Sequence, residues 1–478
     1  MADPVSEPVT LTDAVRALRS GATTSVDLVR RCLAAADAGD GALGSFLDRF
    51  DESALEAAAA ADDLLAGGRA VGPLHGIPIG IKDILQTTEA PTTAQSLVLD
   101  PAWSADGRDA TAVRRLRSAG AVIVGKLSTM EFALGVPDPD KPFPIPRNPW
   151  NPRHWTGGSS SGSASAVAAG FVLGALGTDT AGSIRMPAAF CGVTGMMPTY
   201  GRVPRGGCVP LSFSLDRIGP LARSVQDCAT MLGALAGYDR DDPSSAREPV
   251  PDFAGGLTAD LDGVVVGYDA LAGAAGALGD PAVRSTFDAA LDVLADAGAQ
   301  LRPVQLPLYD EMAAAHFVIM LSEAFAYHLP DLQSRWDDYF ASTRNSLAAA
   351  AFFSGSDYTQ AQRARSVGRA ALASMFEQVD LVATPTASSA APAFRDLDEP
   401  MRGRSNEWFT AVHTAYWDVL GNPAMSVPMG FTASGLPLGL QLAGRPFDDA
   451  GVLRAGHAYQ ARTSWHLELP PLASPQTA

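Results

Sequence analysis

Four short apolar runs constrain this chain most: AVIVGK (121–126), FVLGALG (171–177), GVVVGYD (263–269) and VDLVATP (379–385), each bounded by Gly, Asp or Pro. Runs that are apolar at consecutive positions, not alternate ones, fit strands buried on both faces of a sheet. Such a sheet needs helices to cover it, and helical candidates separate the runs at 109–119, 281–298 and 449–463. AMSVPMG and LPLGLQLAG, further on, read as strands of the same sheet. The expectation is an α/β fold with a largely covered sheet in one large domain, and 478 residues that are 47% hydrophobic suffice for its core.

The first 70 residues read as helical. Thr24 and Asp27 fit a capping box, VDLVRRCLAAADAG has helical apolar spacing and ends in Gly, and a second helix is expected from about Ser53 to Leu65. The resulting division is an N-terminal helical segment, 1–70, packed on a core unit, 71–470, with no flexible linker between them. Two long Pro-rich loops, 135–155 and 385–405, have the length expected of walls or lids of a site.

Composition removes several classes of function. Acidic residues outnumber basic ones 52 to 35, for a net charge of −17 without any Lys/Arg run, which opposes binding to nucleic acid or an anionic membrane. The start, MADPVSEPVTLTDAV, has neither the basic nor the apolar region of a signal peptide, and no uninterrupted apolar stretch approaches a membrane span of roughly 20 residues. Cys32, Cys191, Cys208 and Cys228 form no CxxC pair and read as reduced thiols of a cytoplasmic protein. The seven histidines are scattered, with no HExxH, so neither a metal nor another cofactor is expected.

The stretch WTGGSSSGSASAVAAG (155–170) permits four readings. A flexible linker fits the Gly/Ser content, but the serines lead straight into ASAVAAG, which can form a buried helix of small residues. A phosphate loop matches Gly157 and Gly162, but Ser163 stands where the lysine is required. A hydrolase elbow would make Ser160 the nucleophile, but it must follow a strand, and PIPRNPWNPRHWT has too many prolines for a central one. The fourth reading joins a second turn, GTDTAGSIRMPAAFCG (177–192), where the small residues before Ser183 let backbone N–H groups converge as an oxyanion hole requires. Its base could be Lys82, at the end of HGIPIGIK, because a desolvated lysine loses its charge easily. Against this, Ser183 could be a helix N-cap and Lys82 could pair with Asp83. Lys126, in VIVGKLS, has a similar strand-end setting, and residue chemistry does not rank the two lysines.

Those two turns resemble the signature of the amidase signature family. PLHGIPIGIKD resembles the family's lysine segment. PTYGRVPRGG, SFSLDRIGPLARSVQD and GNPAMSVPMGFTASGLPLGLQLAGRPFDD resemble its later segments, so the likeness spans about 70–235 and 378–470. The resemblance implies one large α/β domain, with a twisted mixed sheet covered on both faces by helices. It implies a Ser–Ser–Lys triad in which Ser183 is the nucleophile, Ser159 the bridge after a cis peptide at Gly158–Ser159, and Lys82 the base. The oxyanion hole falls on the amides of Thr180, Ala181, Gly182 and Ser183, and Asp179 and Arg185 are expected to pair and brace the turn. This chain has Ala181-Gly182 where many relatives have Gly-Gly, Met196-Met197 where a Leu-Lys pair is frequent, and Asp418 where Asn is common.

The activity implied is hydrolysis of C–N bonds in small amides, with esters and carbamates (urethanes) as further substrates, through an acyl-enzyme. The runner-up is the glutamine amidase component of glutamyl-tRNA amidotransferase, which works with partner proteins, although no clear glutamine-recognition pattern stands out. A silent scaffold is the third reading, opposed by the three intact triad positions. The partner expected is a small-molecule substrate, not nucleic acid or membrane, in a cytoplasmic protein that could pair as a homodimer. HFVIMLSEAFAYHL (316–329) is apolar and aromatic at helical spacing, as core packing or an acyl-pocket wall would require, and inclines the reading toward an aryl-bearing substrate.

Overall fold

Thirteen strands and fourteen helices position the site within a computed structural model that describes residues 10–274, 279–399 and 411–471. The strands are β1 (Phe46–Arg49), β2 (Pro78–Lys82), β3 (Val122–Leu127), β4 (Arg147–Asn148), β5 (Asn151–Trp155), β6 (Gly174–Asp179), β7 (Thr194–Met197), β8 (Arg217–Ala222), β9 (Val265–Tyr268), β10 (Gln300–Pro303), β11 (Leu381–Pro385), β12 (Ala424–Phe431) and β13 (Pro437–Gly444). The helices are α1 (Leu11–Ser20), α2 (Ser25–Leu43), α3 (Asp51–Ala66), α4 (Thr111–Ser118), α5 (Ser161–Ala168), α6 (Arg185–Cys191) and α7 (Val225–Leu235). After them come α8 (Pro281–Asp296), α9 (Tyr309–Ser334), α10 (Ala341–Ala350), α11 (Gly355–Met375), α12 (Phe394–Glu399), α13 (Ala415–Leu420) and α14 (Asp449–Gln460).

Eleven strands form one mixed sheet in the order β1-β3-β2-β6-β8-β7-β12-β13-β11-β9-β10. β3, β2 and β6 run parallel, as do β11, β9 and β10, and an antiparallel centre from β6 through β8, β7, β12 and β13 to β11 joins the two groups. Successive side chains of one strand enter opposite cores. Met196 belongs to the core that also holds Leu232 of α7 and Phe287 of α8, while Met197 belongs to the core that holds Ile319 of α9 and Trp417 of α13. The methionine pair is therefore a packing feature, buried on both sides as the apolar runs require.

Three elements differ from expectation. FLDR forms β1, an edge strand paired antiparallel with β3, and four residues are too few to show a period. α2 passes through Gly39 and Gly41 to a left-handed Gly44 (φ 63°); Gly39 is needed inside the helix because a Cβ there would lie 2.9 Å from the Phe171 ring. The 135–155 loop closes in a separate two-stranded hairpin, β4–β5, and 385–405 carries α12, with 400–405 outside the described residues. The first nine residues, on which the signal-peptide expectation falls, also lie outside them. One described helix, α9, is long and apolar enough to cross a membrane by composition, with mean hydropathy 1.3, but half of its apolar window is buried against the core.

Candidate active site

Lys82 ends β2 with no exposed surface. Its Nζ meets three hydroxyls and no carboxylate: Ser159 Oγ at 2.7 Å, Thr178 Oγ1 at 2.8 Å and Ser160 Oγ at 3.1 Å. Burial pushes the amine down to about 7, against the opposing pull of Cys208, Asp179 and Asp216. Lys126, on the adjoining β3, has different company. Its Nζ lies 3.1 Å from Asp83 Oδ1, donates to Leu85 O at 2.5 Å and to Thr92 Oγ1 at 3.0 Å. Burial lowers Lys126 too, but Asp83 favours its charged form. Asp83 thus pairs with Lys126 and not with its chain neighbour Lys82, which separates two lysines that look alike in sequence.

The serines of 159–165 are buried pins. Ser160 Oγ donates to Thr178 O and accepts from Thr178 N, each at 3.2 Å, fixing the start of α5 to β6. Ser163 Oγ donates to Leu176 O at 2.9 Å, and Ser165 Oγ to Arg147 O at 3.1 Å. A linker does not make such contacts, and the hairpin before the stretch is no central strand, so the linker and elbow readings both fall. The Gly158–Ser159 peptide is cis. A Cβ on Gly157 would stand 2.9 Å from Phe190 Cδ2, one on Gly158 3.0 Å from both Met130 Cγ and Trp155 Cζ2, and one on Gly162 would press to 2.5 Å from Ser128 N. These glycines answer to close packing, with no need of a phosphate.

The Ser183 turn lies between β6 and α6. Its framework is the Asp179 carboxylate, which accepts from Gly182 N at 2.6 Å, Ile184 N at 3.0 Å, and Arg185 Nε and Nη2 at 3.0 Å. Burial alone would raise Asp179, but the Arg185 charge and these hydrogen bonds hold it at about 2. The carbonyls of the turn are drawn outward: Thr180 O meets His316 Nε2 at 2.8 Å, and Ala181 O accepts from Thr414 Oγ1 at 2.5 Å. Thr180 Oγ1 donates to Asp216 Oδ1 at 2.6 Å. Among the described residues nothing accepts from the amides of Thr180, Ala181 or Ser183. Gly182 is the correction to the expected hole, because its amide is committed to Asp179. The residue itself is indispensable: φ is +122° and a Cβ would collide with the Thr414 side chain. Ala181, outside the positive-φ residues, carries its methyl without strain.

Ser183 itself is buried, with 8% exposure, and its hydroxyl has no hydrogen-bond partner among the described residues. It is no N-cap, since Ile184 precedes α6 and no side chain caps that helix. Its carbonyl accepts from Ser160 N at 3.1 Å, which ties the two turns together. Lys82 and Ser159 are thus in direct contact, and Ser183 adjoins them through the backbone.

Around the turn lies a buried network absent from the sequence expectations, apart from the Asp179–Arg185 pair. Arg185 also reaches Asp418, Gln441 Oε1 at 2.8 Å and Thr414 O at 3.0 Å, and Arg217 Nη1 meets Asp418 Oδ1 at 3.0 Å. Burial and the nearby Asp179 push Asp418 upward while Arg185 and Arg217 hold it toward the carboxylate, and these contacts assign Asp418 to bracing the turn. Thr178 lies inside GTDTAGSIRMPAAFCG, where its residue type alone does not mark it as a partner of Lys82. Arg217 lies in SFSLDRIGPLARSVQD, Gln441 in GNPAMSVPMGFTASGLPLGLQLAGRPFDD and His316 in HFVIMLSEAFAYHL, while Thr414 lies in no such segment, and no spacing ties any of the four to the turn. Among the described residues no group of His, Cys, Asp and Glu is arranged to hold a metal.

A polar serine turn set on a covered α/β sheet beside a buried lysine defines the class of protein, and comparison with known proteins gives the family. A family model described as Amidase matches residues 27–453. The chain belongs to this amidase signature family. It is 40% identical to the A subunit of the glutamyl-tRNA(Gln) amidotransferase of Chloroflexus aurantiacus over 97% of the chain and 98% of that protein. Among solved structures, a protein of a vestigial complex tied to the origins of an s-triazine catabolic enzyme superposes with TM-score 0.86 at 31% identity, covering 95% of this chain and 98% of that one. The native peptide amidase of Stenotrophomonas maltophilia superposes at 0.81, also 31% identical, over 99% and 100% of the two chains.

Proposed function

We propose that the chain cleaves carboxamide C–N bonds, with Ser183 as nucleophile, Ser159 as proton bridge and Lys82 as base. The observation that carries this is the 2.7 Å contact between Lys82 Nζ and Ser159 Oγ, made by a buried amine without a carboxylate partner. Neutral lysine has two N–H bonds and one lone pair. Ser160 directs its own hydrogen to Thr178 O, so toward Lys82 it can only accept. With Thr178 Oγ1 taking the second N–H, the lone pair is left for Ser159. Ser159 gives its proton to Lys82 and takes that of Ser183, whose Oγ attacks the carbonyl carbon. The amides of Thr180, Ala181 and Ser183 receive the oxyanion. Ser159 then protonates the leaving nitrogen and recovers its own proton from Lys82, the C–N bond breaks, and water repeats the sequence on the acyl-enzyme.

For the substrate, the curated relatives support a glutamine-amide hydrolysing component that works with partner proteins better than a stand-alone amidase. The second reading, a free-standing hydrolase of small amides, esters or carbamates, is supported by the likeness to peptide amidase. Free thiols at all four cysteines suit a cytoplasmic setting for either. Assaying the purified chain alone on glutamine, a dipeptide amide, an anilide and an aryl carbamate decides between them. Glutamine turnover that appears only with an added amidotransferase assembly supports the first reading, rapid turnover of the other amides without partners the second, and no turnover under either condition contradicts both.

A further inference from the structure

Beside the Ser183 turn runs a hydrogen-bonded chain of three side chains outside the proposed reaction. His413 meets Ser388 Oγ through Nε2 at 2.7 Å and Tyr309 Oη through Nδ1 at 2.8 Å. Burial pushes the imidazole down to about 4, so near neutral pH it has one N–H and one lone pair. Ser388 and His413 are buried, and Tyr309 is half-buried.

Counting hydrogens gives the chain a direction. Each of the three groups brings one hydrogen and only two bonds join them, so one hydroxyl hydrogen is left without an acceptor among the described residues. Were Tyr309 to donate to Nδ1, the unmet hydrogen would be that of buried Ser388, at the full cost of an unsatisfied donor. With Ser388 donating to Nε2 and Nδ1–H donating to Tyr309, the spare hydrogen lies on the partly exposed member. The second arrangement is favoured, and it leaves the Tyr309 hydroxyl as a donor awaiting a partner.

Its position points to what that partner is. Tyr309 opens α9, and seven residues on, on the same helical face, His316 touches Thr180 O. Two helical turns separate Tyr309 from His316 by about 10 Å along α9. Thr414, next to the His413 that Tyr309 meets, holds Ala181 O. The Tyr416 ring stacks on Tyr309 at 5.6 Å and supplies an apolar flank.

We propose that the Tyr309 hydroxyl is a specificity-determining donor for a carboxylate or carbonyl at the far end of the substrate's acyl chain. This rests on Ser183 being the point of attack. The test is calorimetric titration of the Ser183→Ala protein with suberic acid monoanilide and with octananilide, repeated after adding Tyr309→Phe. The ratio of affinities, acid-ended over methyl-ended, is expected to fall about tenfold. An unchanged ratio, or binding of neither anilide, overturns the proposal. Nitrogen-15 NMR, with the His413 signals identified through His413→Gln, is expected to show the proton on Nδ1, and a proton on Nε2 overturns it as well. Turnover surviving in Ser183→Ala would instead contradict the proposed reaction, while these titrations still read the Tyr309 contact.

Discussion

A primary amine buried among hydroxyls, with no carboxylate in contact, loses its charge near neutrality, and Lys82 is placed so. Activity is therefore expected to rise through about pH 7, seen as kcat/KM against pH, whereas a profile flat from pH 6 to 9 with chemistry rate-limiting would exclude Lys82 as base. The same shift acts on stability. Because the folded value, about 7, lies below the unfolded value, 10.5, the unfolded chain binds more protons between them and stability rises with pH across that window. Urea midpoints should show the wild type gaining on Lys82→Met from pH 7 to 9.5; a constant difference would contradict the shift. Lys126→Met instead strands Asp83 in the interior, at a cost of about 3–5 kcal/mol, and should leave the shape of the pH profile alone. The serines should differ in the same way. Ser159→Ala breaks both proton transfers, a loss of about 10²–10⁴-fold, while Ser160→Ala removes a brace and should retain much more activity.

The Ser183 turn shows how one element depends on another far away in sequence. Gly182→Ala drives a methyl into Thr414 at a positive φ and is expected to lower kcat by at least about 100-fold, whereas Ala181→Gly should change it only a few-fold; equal effects would contradict the geometry. Asp418→Asn leaves Arg217 and Arg185 with excess charge and should cost roughly 3 kcal/mol by urea denaturation. Adding Arg217→Gln restores the balance, so the double variant should lose less than the sum of the singles; strict additivity would mean the pair is not coupled. Much of this region was legible in sequence. The buried strands declare themselves because covering both faces demands unbroken apolar runs, and Lys82, Ser159 and Ser183 sit in contiguous motifs. The rest was not legible, for physical reasons. β1 has four residues and shows no period, and Lys82 and Lys126 have the same local pattern, told apart only by where the chain folds Asp83. Thr414 and Gln441 reach the turn from 229 and 256 residues beyond Arg185, so nothing near the motif announces them. Gly182 looked like an oxyanion donor because small residues free the amide, yet Asp179 captures it.

Across the whole molecule, the mixed sheet builds the candidate site by bringing the ends of β2 and β6, parallel neighbours, to one place, with α5 and α6 opening directly onto it. α9 then spans the opposite core and touches the turn through His316, so packing of the large helix and position of the small turn are coupled. The net charge of −17 gives this surface no electrostatic attraction for RNA, so if the chain serves an amidotransferase, the nucleic acid is expected to be held by its partner proteins. Every step of the proposed reaction depends on which serine attacks. The direct measurement is intact-mass and peptide-mapping spectrometry after a fluorophosphonate probe, on the wild type and on Ser159→Ala, Ser160→Ala, Ser161→Ala and Ser183→Ala. The label is predicted on Ser183, abolished only in Ser183→Ala and slowed in Ser159→Ala; label on Ser160, or labelling that survives in Ser183→Ala, would contradict the account.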